Sequence, residues 1–321
     1  MNILVTGAAG FVASHLIPAL LARDHVVTGL DAMAPNSEEA WRLNGFRDHP
    51  GYSHIWAGAQ DIGTALSIRN GHPYLVIHLA ATTDVPFSGR SPRYAFDQVY
   101  SAAQAVADYC LASRARMLHF STFSVYGRFH AIPIVEDVQL RPGSPYGAAK
   151  AAAETYIISR MESAGLDAAI IRPATMFGPR ERPTGLVSMF LNLVQNGKGI
   201  VLEGGGYQTR DLNCVTNVVD LVLAMVADWG KLDALHSHDR IFNAGSGEEV
   251  EIRGLAERCY RALNREWDPK EAPPRAWEEG RVMLSNIWSN TVFGYQPRVD
   301  FSTGFEDLVE WVTEQQMTGG R

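Results

Sequence analysis

The sequence predicts an α/β fold, a doubly wound parallel sheet with a smaller C-terminal lobe. Three observations predict it. A short apolar run over residues 2–6 ends in a glycine-rich turn, and residues 11–23 then place Phe11, Leu16, Leu20 and Leu21 at helical spacing. Further apolar runs at 26–30, 74–79, 117–120 and 169–172 recur, with helical stretches at 102–113 and 146–164 among them; such alternation is what a parallel sheet with helical crossovers requires. The runs are continuously apolar, as strands covered on both faces are.

Each element follows in order. Residues 2–6 form the first strand, 11–23 the first helix, and 26–30 a second strand that closes at Asp31. The runs at 74–79, 117–120 and 169–172 supply the next strands. Beyond about residue 180 the alternation loosens: Gly204, Gly205 and Gly206 stand in a row, 241–243 reads as a strand, 252–263 as a helix, and Pro269, Pro273 and Pro274 mark a loop. Residues 212–229 still read as sheet-and-helix material. The expected division is therefore a sheet domain over 1–180 with a return segment near 212–245, and a discontinuous lobe drawn mainly from 181–321. No internal repeat or low-complexity tract is visible.

Composition narrows the partners. With 46% hydrophobic and 20% charged residues, the 321-residue chain has the make-up of a folded globular protein, which excludes a disordered chain or a coiled coil. Its 28 basic and 35 acidic side chains give a net charge of −7, which repels phosphate backbones and anionic lipid, so neither nucleic acid nor a membrane is an expected partner. Cys110, Cys214 and Cys259 lie far apart and lack metal-ligand or redox spacing, so no metal is expected and the thiols read as reduced and structural. Asn2, Thr6, Ser14, His15 and Pro18 interrupt the first 22 residues, and no basic residues precede them, unlike a signal peptide. No run approaches the roughly 18–20 apolar residues of a membrane span, and the expected location is the cytoplasm.

The chemistry-bearing residues cluster at strand ends. Gly7-Ala8-Ala9-Gly10-Phe11-Val12-Ala13 lies where the first strand turns into the first helix. Gly7 and Gly10 let the backbone approach a pyrophosphate, and the helix N-terminus offers unpaired N–H groups with partial positive charge. Asp31, at the end of the second strand, suits the hydroxyls of an adenosine ribose and repels a 2′-phosphate, so NAD is the expected cofactor rather than NADP. Tyr146 and Lys150 are one helical turn apart on one face, where a cation favours phenolate and can lower a tyrosine pKa. Upstream, Ser121-Thr122-Phe123-Ser124-Val125-Tyr126-Gly127 brings hydroxyls to a strand's carboxyl end.

Together these residues resemble the extended short-chain dehydrogenase/reductases, the NAD-dependent nucleotide-sugar epimerase/dehydratase family, along nearly the whole chain. Further matches are Asp61-Ile62, His78-Leu79-Ala80-Ala81, Arg172-Pro173, Phe177-Gly178-Pro179, Gly206-Tyr-Gln-Thr-Arg210-Asp211 and Phe242-Asn243-Ala-Gly-Ser-Gly247. The resemblance implies a Rossmann-type sheet and a catalytic set of Thr122, Tyr146 and Lys150. It adds Asp61 and Ile62 at the adenine, and Leu79, Ala80, Ala81 and Pro173 beside the cofactor. It implies a homodimer acting on a UDP-activated hexose or hexosamine, with Arg210 and Arg275 on the diphosphate. Asp84, Phe123, Ser124, Thr175, Leu186, Val201 and Glu278 are the remaining substrate positions.

Departures from the family pattern bear on the reaction. The sugar 4,6-dehydratases of the family carry Thr-Asp-Glu where this chain has Thr122-Phe123-Ser124, so the pair that expels water in those enzymes is missing. Gln98 stands where many members have Asn, and Thr175 replaces an Asn often found in 4-epimerases. Asp84 is a carboxylate that could act from a different direction. The implied reaction is redox-neutral, through transient oxidation at C4. A nucleotide-hexosamine 5,6-dehydratase acting on UDP-GlcNAc is placed ahead of a UDP-hexose or hexosamine 4-epimerase.

Overall fold

The computed structural model describes residues 1–34, 37–67, 72–81, 85–128, 131–274 and 280–317. The chain runs β1 (Asn2–Thr6), α1 (Phe11–Leu21), β2 (Val26–Asp31), β3 (Tyr52–Trp56), α2 (Ile62–Ser67), β4 (Leu75–His78), α3 (Val85–Arg90), α4 (Pro92–Phe96), α5 (Ala102–Ser113), β5 (Arg116–Phe120), α6 (Pro145–Ala164) and β6 (Ala168–Pro173). It continues through β7 (Thr175–Phe177), α7 (Leu186–Gln195), β8 (Val201–Glu203), β9 (Thr209–Arg210), β10 (Leu212–Cys214), α8 (Val215–Ala227), β11 (Ile241–Ala244), β12 (Val250–Glu251), α9 (Ile252–Ala262), β13 (Lys270–Ala272), α10 (Ile287–Phe293) and α11 (Phe301–Met317).

Seven strands form one sheet in the order β11-β6-β5-β4-β1-β2-β3. The pairings from β6 through to β3 are parallel. The order reverses between β1 and β4, and the carboxyl ends of strands at such a switch point are where open α/β sheets bind ligands. This is the doubly wound architecture expected from the sequence. The edge strand β3 was not among the expected strands: its Ser53 and His54 are half-buried and Trp56 is exposed, so it lacks a continuous apolar run.

The chain divides into two compact units. The first comprises Met1–Tyr126, Leu140–Arg172 and Val222–Phe242, and the second Gly127–Gln139, Pro173–Leu221 and Asn243–Arg321. In the first, alternate strand residues Leu4, Val76, Met117, Ala168 and Ile170 pack against Val106, Cys110, Ile157 and Met161 of α5 and α6. Helix α6 is bounded by local chemistry. Ser144 caps its start by accepting from Gly147 N at 3.1 Å, Pro145 occupies the first turn, and Gly165 ends it at φ 72°.

In the second unit, Phe177, Leu191, Leu202, Leu255, Phe301 and Leu308 share a core with α7, α9 and α11. Its strands are short pairs: β7 with β10, β9 with β12, and β8 with β13. Asp211 knits this unit together. Its buried carboxylate accepts from Ser246 N and Ser246 Oγ, both at 2.7 Å, and from Leu284 N at 2.9 Å. Burial raises its pKa to about 6 against those hydrogen bonds. Asn213 donates to Ala244 O and Tyr295 Oη, and Asn243 Nδ2 to Ile134 O. The Arg210-Asp211 and Phe242-to-Gly247 segments thus include structural hydrogen bonds that motif matching alone does not reveal.

Candidate active site

The glycine turn is built for close approach. Gly7 has φ +71°, and a Cβ there would lie 2.8 Å from Ala80 N, so neither the conformation nor the space admits a side chain. Gly7 N donates to Leu30 O and Gly10 N to Gly7 O, which folds the turn against β2. Gly10 then precedes α1, whose first turn begins with half-buried Phe11 and Val12. Ala13, in place of a third glycine, is fully buried. The bare turn at a helix N-terminus fits a dinucleotide pyrophosphate.

Asp31 stands at the carboxyl end of β2. Its Oδ2 accepts from Ala9 N at 2.9 Å and its Oδ1 from Met33 N at 2.8 Å, which fixes the carboxylate against the glycine turn. Ile62 is buried and Asp61 exposed at the start of α2. Leu79, Ala80 and Ala81 follow β4, and backbone bonds from Leu79 N to Thr6 O and from Ala80 N to Thr6 Oγ1 hold them at the end of β1.

Thr122, Tyr146 and Lys150 converge at the end of β5. Thr122 accepts from Ser124 N at 3.2 Å, and its side chain hydrogen-bonds Tyr146. The Tyr146 ring packs with Val99 and Ala149; Val99 belongs to a π-helical turn, Asp97–Ser101, that also carries Gln98. π-turns of this kind recur at functional sites. Lys150 Nζ donates to Phe120 O at 2.6 Å. Burial lowers the Lys150 pKa to about 8, with the Glu154 carboxylate opposing the shift.

The Tyr146 phenol departs from the expectation that its neighbouring ammonium lowers it. Burial pushes its pKa above the usual tyrosine range, and only the Thr122 hydrogen bond opposes this. The physical reason is that both groups are desolvated, so each favours its neutral form. One turn further along α6, Glu154 is locked to Arg172, with Arg172 Nη2 at 2.6 Å from Glu154 Oε2 and Nη1 donating to Tyr126 Oη at 3.0 Å. The Arg172 of the Arg172-Pro173 motif is thus a buried structural ion.

The expected substrate positions fall in different places. Phe123 and Ser124 lie half-buried in the first unit, directly after Thr122. Pro173, Thr175, Leu186, Val201 and Arg210 belong to the second. Val201 is 48% exposed on β8, and Arg210 Nη1 donates to Thr209 O. Asp84, Arg275 and Glu278 lie outside the described residues. Glu154 and His119 were not singled out in the sequence; the signal available was their position one turn beyond Lys150 and two residues before Ser121.

Known proteins place this geometry. The model of the NAD dependent epimerase/dehydratase family matches residues 3–245. The UDP-glucose 4-epimerase of Mycolicibacterium smegmatis is 33% identical, over 97% of this chain and 98% of its own length. The dTDP-glucose 4,6-dehydratase of Streptomyces niveus is 27% identical, over 98% and 94%. Among solved structures, DesIV, the dTDP-glucose 4,6-dehydratase from Streptomyces venezuelae with NAD and TYD bound, matches with a TM-score of 0.89 at 25% identity, covering 99% of this chain and 98% of that one. The UDP-glucuronic acid 4-epimerase of Bacillus cereus shares the fold, with a TM-score of 0.88 at 24% identity over 98% and 99%. The glycine turn and the Tyr146–Lys150 pair both fall within the matched residues, and the chain belongs to the NAD-dependent epimerase/dehydratase family as an NAD-dependent enzyme.

Proposed function

We propose that this enzyme oxidises UDP-GlcNAc transiently at C4 and eliminates water across C5 and C6, leaving a 5,6-alkene with no net redox change. The observation that carries this reading is Thr122-Phe123-Ser124 at the end of β5, next to an intact Tyr146–Lys150 pair. The pair can move protons, while the positions that hold an acid pair in the family's sugar 4,6-dehydratases offer a phenyl ring and a hydroxyl. In this reading the chain is similar to the nucleotide-hexosamine 5,6-dehydratase of the tunicamycin antibiotic pathway.

Bound NAD supplies a hydride acceptor and donor at C4. Gly7, Gly10, Phe11, Val12, Asp31, Asp61, Ile62, Leu79, Ala80, Ala81 and Pro173 are its proposed contacts. Thr122 orients the C4 hydroxyl, and Tyr146 takes the hydroxyl proton. Tyr146 must first give up its own proton, and the Lys150 amine, whose pKa burial lowers to about 8, is its proposed acceptor. The resulting C4 ketone acidifies the C5 proton, for which Asp84 is the proposed base; the C6 hydroxyl leaves with that proton as one water, the C5–C6 double bond forms, and C4 is then reduced back to the alcohol. Arg210 and Arg275 offer guanidinium forks that suit diphosphate oxygens.

A second reading, 4-epimerisation, is favoured by the Mycolicibacterium smegmatis relative that aligns along nearly the whole chain. Mass spectrometry and proton NMR of the product from UDP-GlcNAc separate the two. Loss of one water with an alkene signal is expected, whereas unchanged mass with inverted C4 overturns dehydration in favour of epimerisation.

A further inference from the structure

The face of the sheet covered by α6 carries polar groups that the chemistry above leaves unused. In the parallel register Thr6 lies beside His78 and His78 beside His119, and all three are fully buried. Ser121, just past the end of β5 and two residues beyond His119, continues the same alternation. Thr6 Oγ1 accepts from Ala80 N and is hydrogen-bonded to His78 Nδ1 at 2.7 Å. His78 Nε2, both ring nitrogens of His119 and Ser121 Oγ are buried with no hydrogen-bond partner among the described residues.

Four such atoms in one place are costly unless water satisfies them. The two imidazoles stack with centroids 5.3 Å apart and planes inclined by 26°, an arrangement that leaves their ring edges free to bond elsewhere. Next to them Lys150 spends one of its three donors on Phe120 O, the carbonyl between His119 and Ser121. We propose that His78, His119 and Ser121 line a hydrated compartment between the sheet and α6 that solvates the Lys150 amine, with His119 as its positioning residue.

A neutral imidazole suits this task, because it accepts a hydrogen bond at one nitrogen and donates from the other. Both histidines stay neutral: burial, aided by the Lys150 charge, holds His78 near 3 and His119 well below its ordinary value. The groups facing the compartment are Lys150, Tyr146 and Glu154 from α6, His78 from β4, His119 from β5 and Arg172 from β6. A proton passed from Tyr146 to the Lys150 amine exchanges through compartment water and returns when the sugar oxygen is reprotonated. Only O–H and N–H bonds are exchanged, and water is the single co-reactant.

The inference rests on the reading of Tyr146 and Lys150 as the proton-transfer pair, and its test does not depend on turnover. In NAD-loaded enzyme labelled with ¹³C-lysine, the Lys150 signal, assigned by its loss in Lys150→Met, is titrated by NMR. His119→Phe fills the compartment with an apolar ring, so the Lys150 titration should fall by about one unit or more, because desolvation penalises the ammonium. His119→Asn keeps a donor and an acceptor and should restore most of the shift. A folded His119→Phe whose Lys150 titrates as in the parent overturns the proposal. If neither variant folds, a high-resolution crystal structure of the parent decides: ordered water on the His119 nitrogens supports the compartment, and a dry one overturns it. Failure of the parent to convert UDP-GlcNAc or UDP-glucose defeats the proposed function alone and leaves the titration readable.

Discussion

Two rows of side chains on one face of the sheet, only two residues apart along each strand, behave as different materials. In the lower row Leu4, Val76, Met117 and Ala168 lie in register and form a dry core with α5 and α6. In the upper row Thr6, His78 and His119 take the corresponding places on β1, β4 and β5, opposite a helix that carries Tyr146, Lys150 and Glu154, while Ile170 on β6 still belongs to the apolar core. Both rows are buried, so exposure does not separate them. The difference is the strand end: at the carboxyl edge the backbone turns away and the sheet presents free positions for polar chemistry, while two residues lower only packing is served.

The comparison can be broken from either side. The largest expected effect is in the polar half. Glu154→Gln leaves the Arg172 charge buried without its counterion and should cost about 3–5 kcal/mol of stability, measured by urea unfolding. In the apolar half, Met117→Ala should cost about 2–5 kcal/mol through the cavity it leaves, while the pH dependence of stability stays as in the parent. A folded Glu154→Gln as stable as the parent would erase the distinction between the rows.

Arg210→Ala, in the second unit, should weaken UDP-sugar binding by about 1.5–3 kcal/mol in calorimetry and leave NAD affinity unchanged. A loss of NAD affinity instead would move Arg210 from the substrate to the cofactor side. The last expected effect is a slope. Burial lowers the Lys150 pKa from its ordinary 10.5 in the unfolded chain to about 8 in the fold, so between these values the unfolded chain binds more protons. Its contribution to stability therefore rises with pH across that window, and the burial penalty is fully present below it. Lys150→Met should lack this part of the slope in a comparison of unfolding from pH 7.5 to 10.5.

Legibility in the sequence followed the same division. Strands β1, β2, β4, β5 and β6 were readable because both faces are covered and the runs are apolar. Edge strand β3 was not, since Tyr52, Ser53 and His54 mix polarities, and the second unit's strands of two or three residues are too short to show a period. Gly7, Asp31, Tyr146 and Lys150 were readable because each belongs to a local motif whose geometry the backbone enforces. The Glu154–Arg172 ion pair, the Asp211 clamp and the His78–His119 stack were not, because each joins residues that only tertiary folding brings together. The direction of the Tyr146 shift was misread for a related reason: spacing reveals a neighbouring cation but not the depth of burial that outweighs it.

The most direct test of the proton-transfer pair is a single turnover of NAD-loaded Tyr146→Phe with UDP-GlcNAc, followed by NADH absorbance. The substitution removes one oxygen and keeps the ring against Val99 and Ala149, so the fold should persist. NAD+ reduction is expected to slow by a factor on the order of 10² or more. A folded variant that reduces NAD+ at the parent's rate would contradict the assignment of Tyr146 as the group that takes the C4 hydroxyl proton.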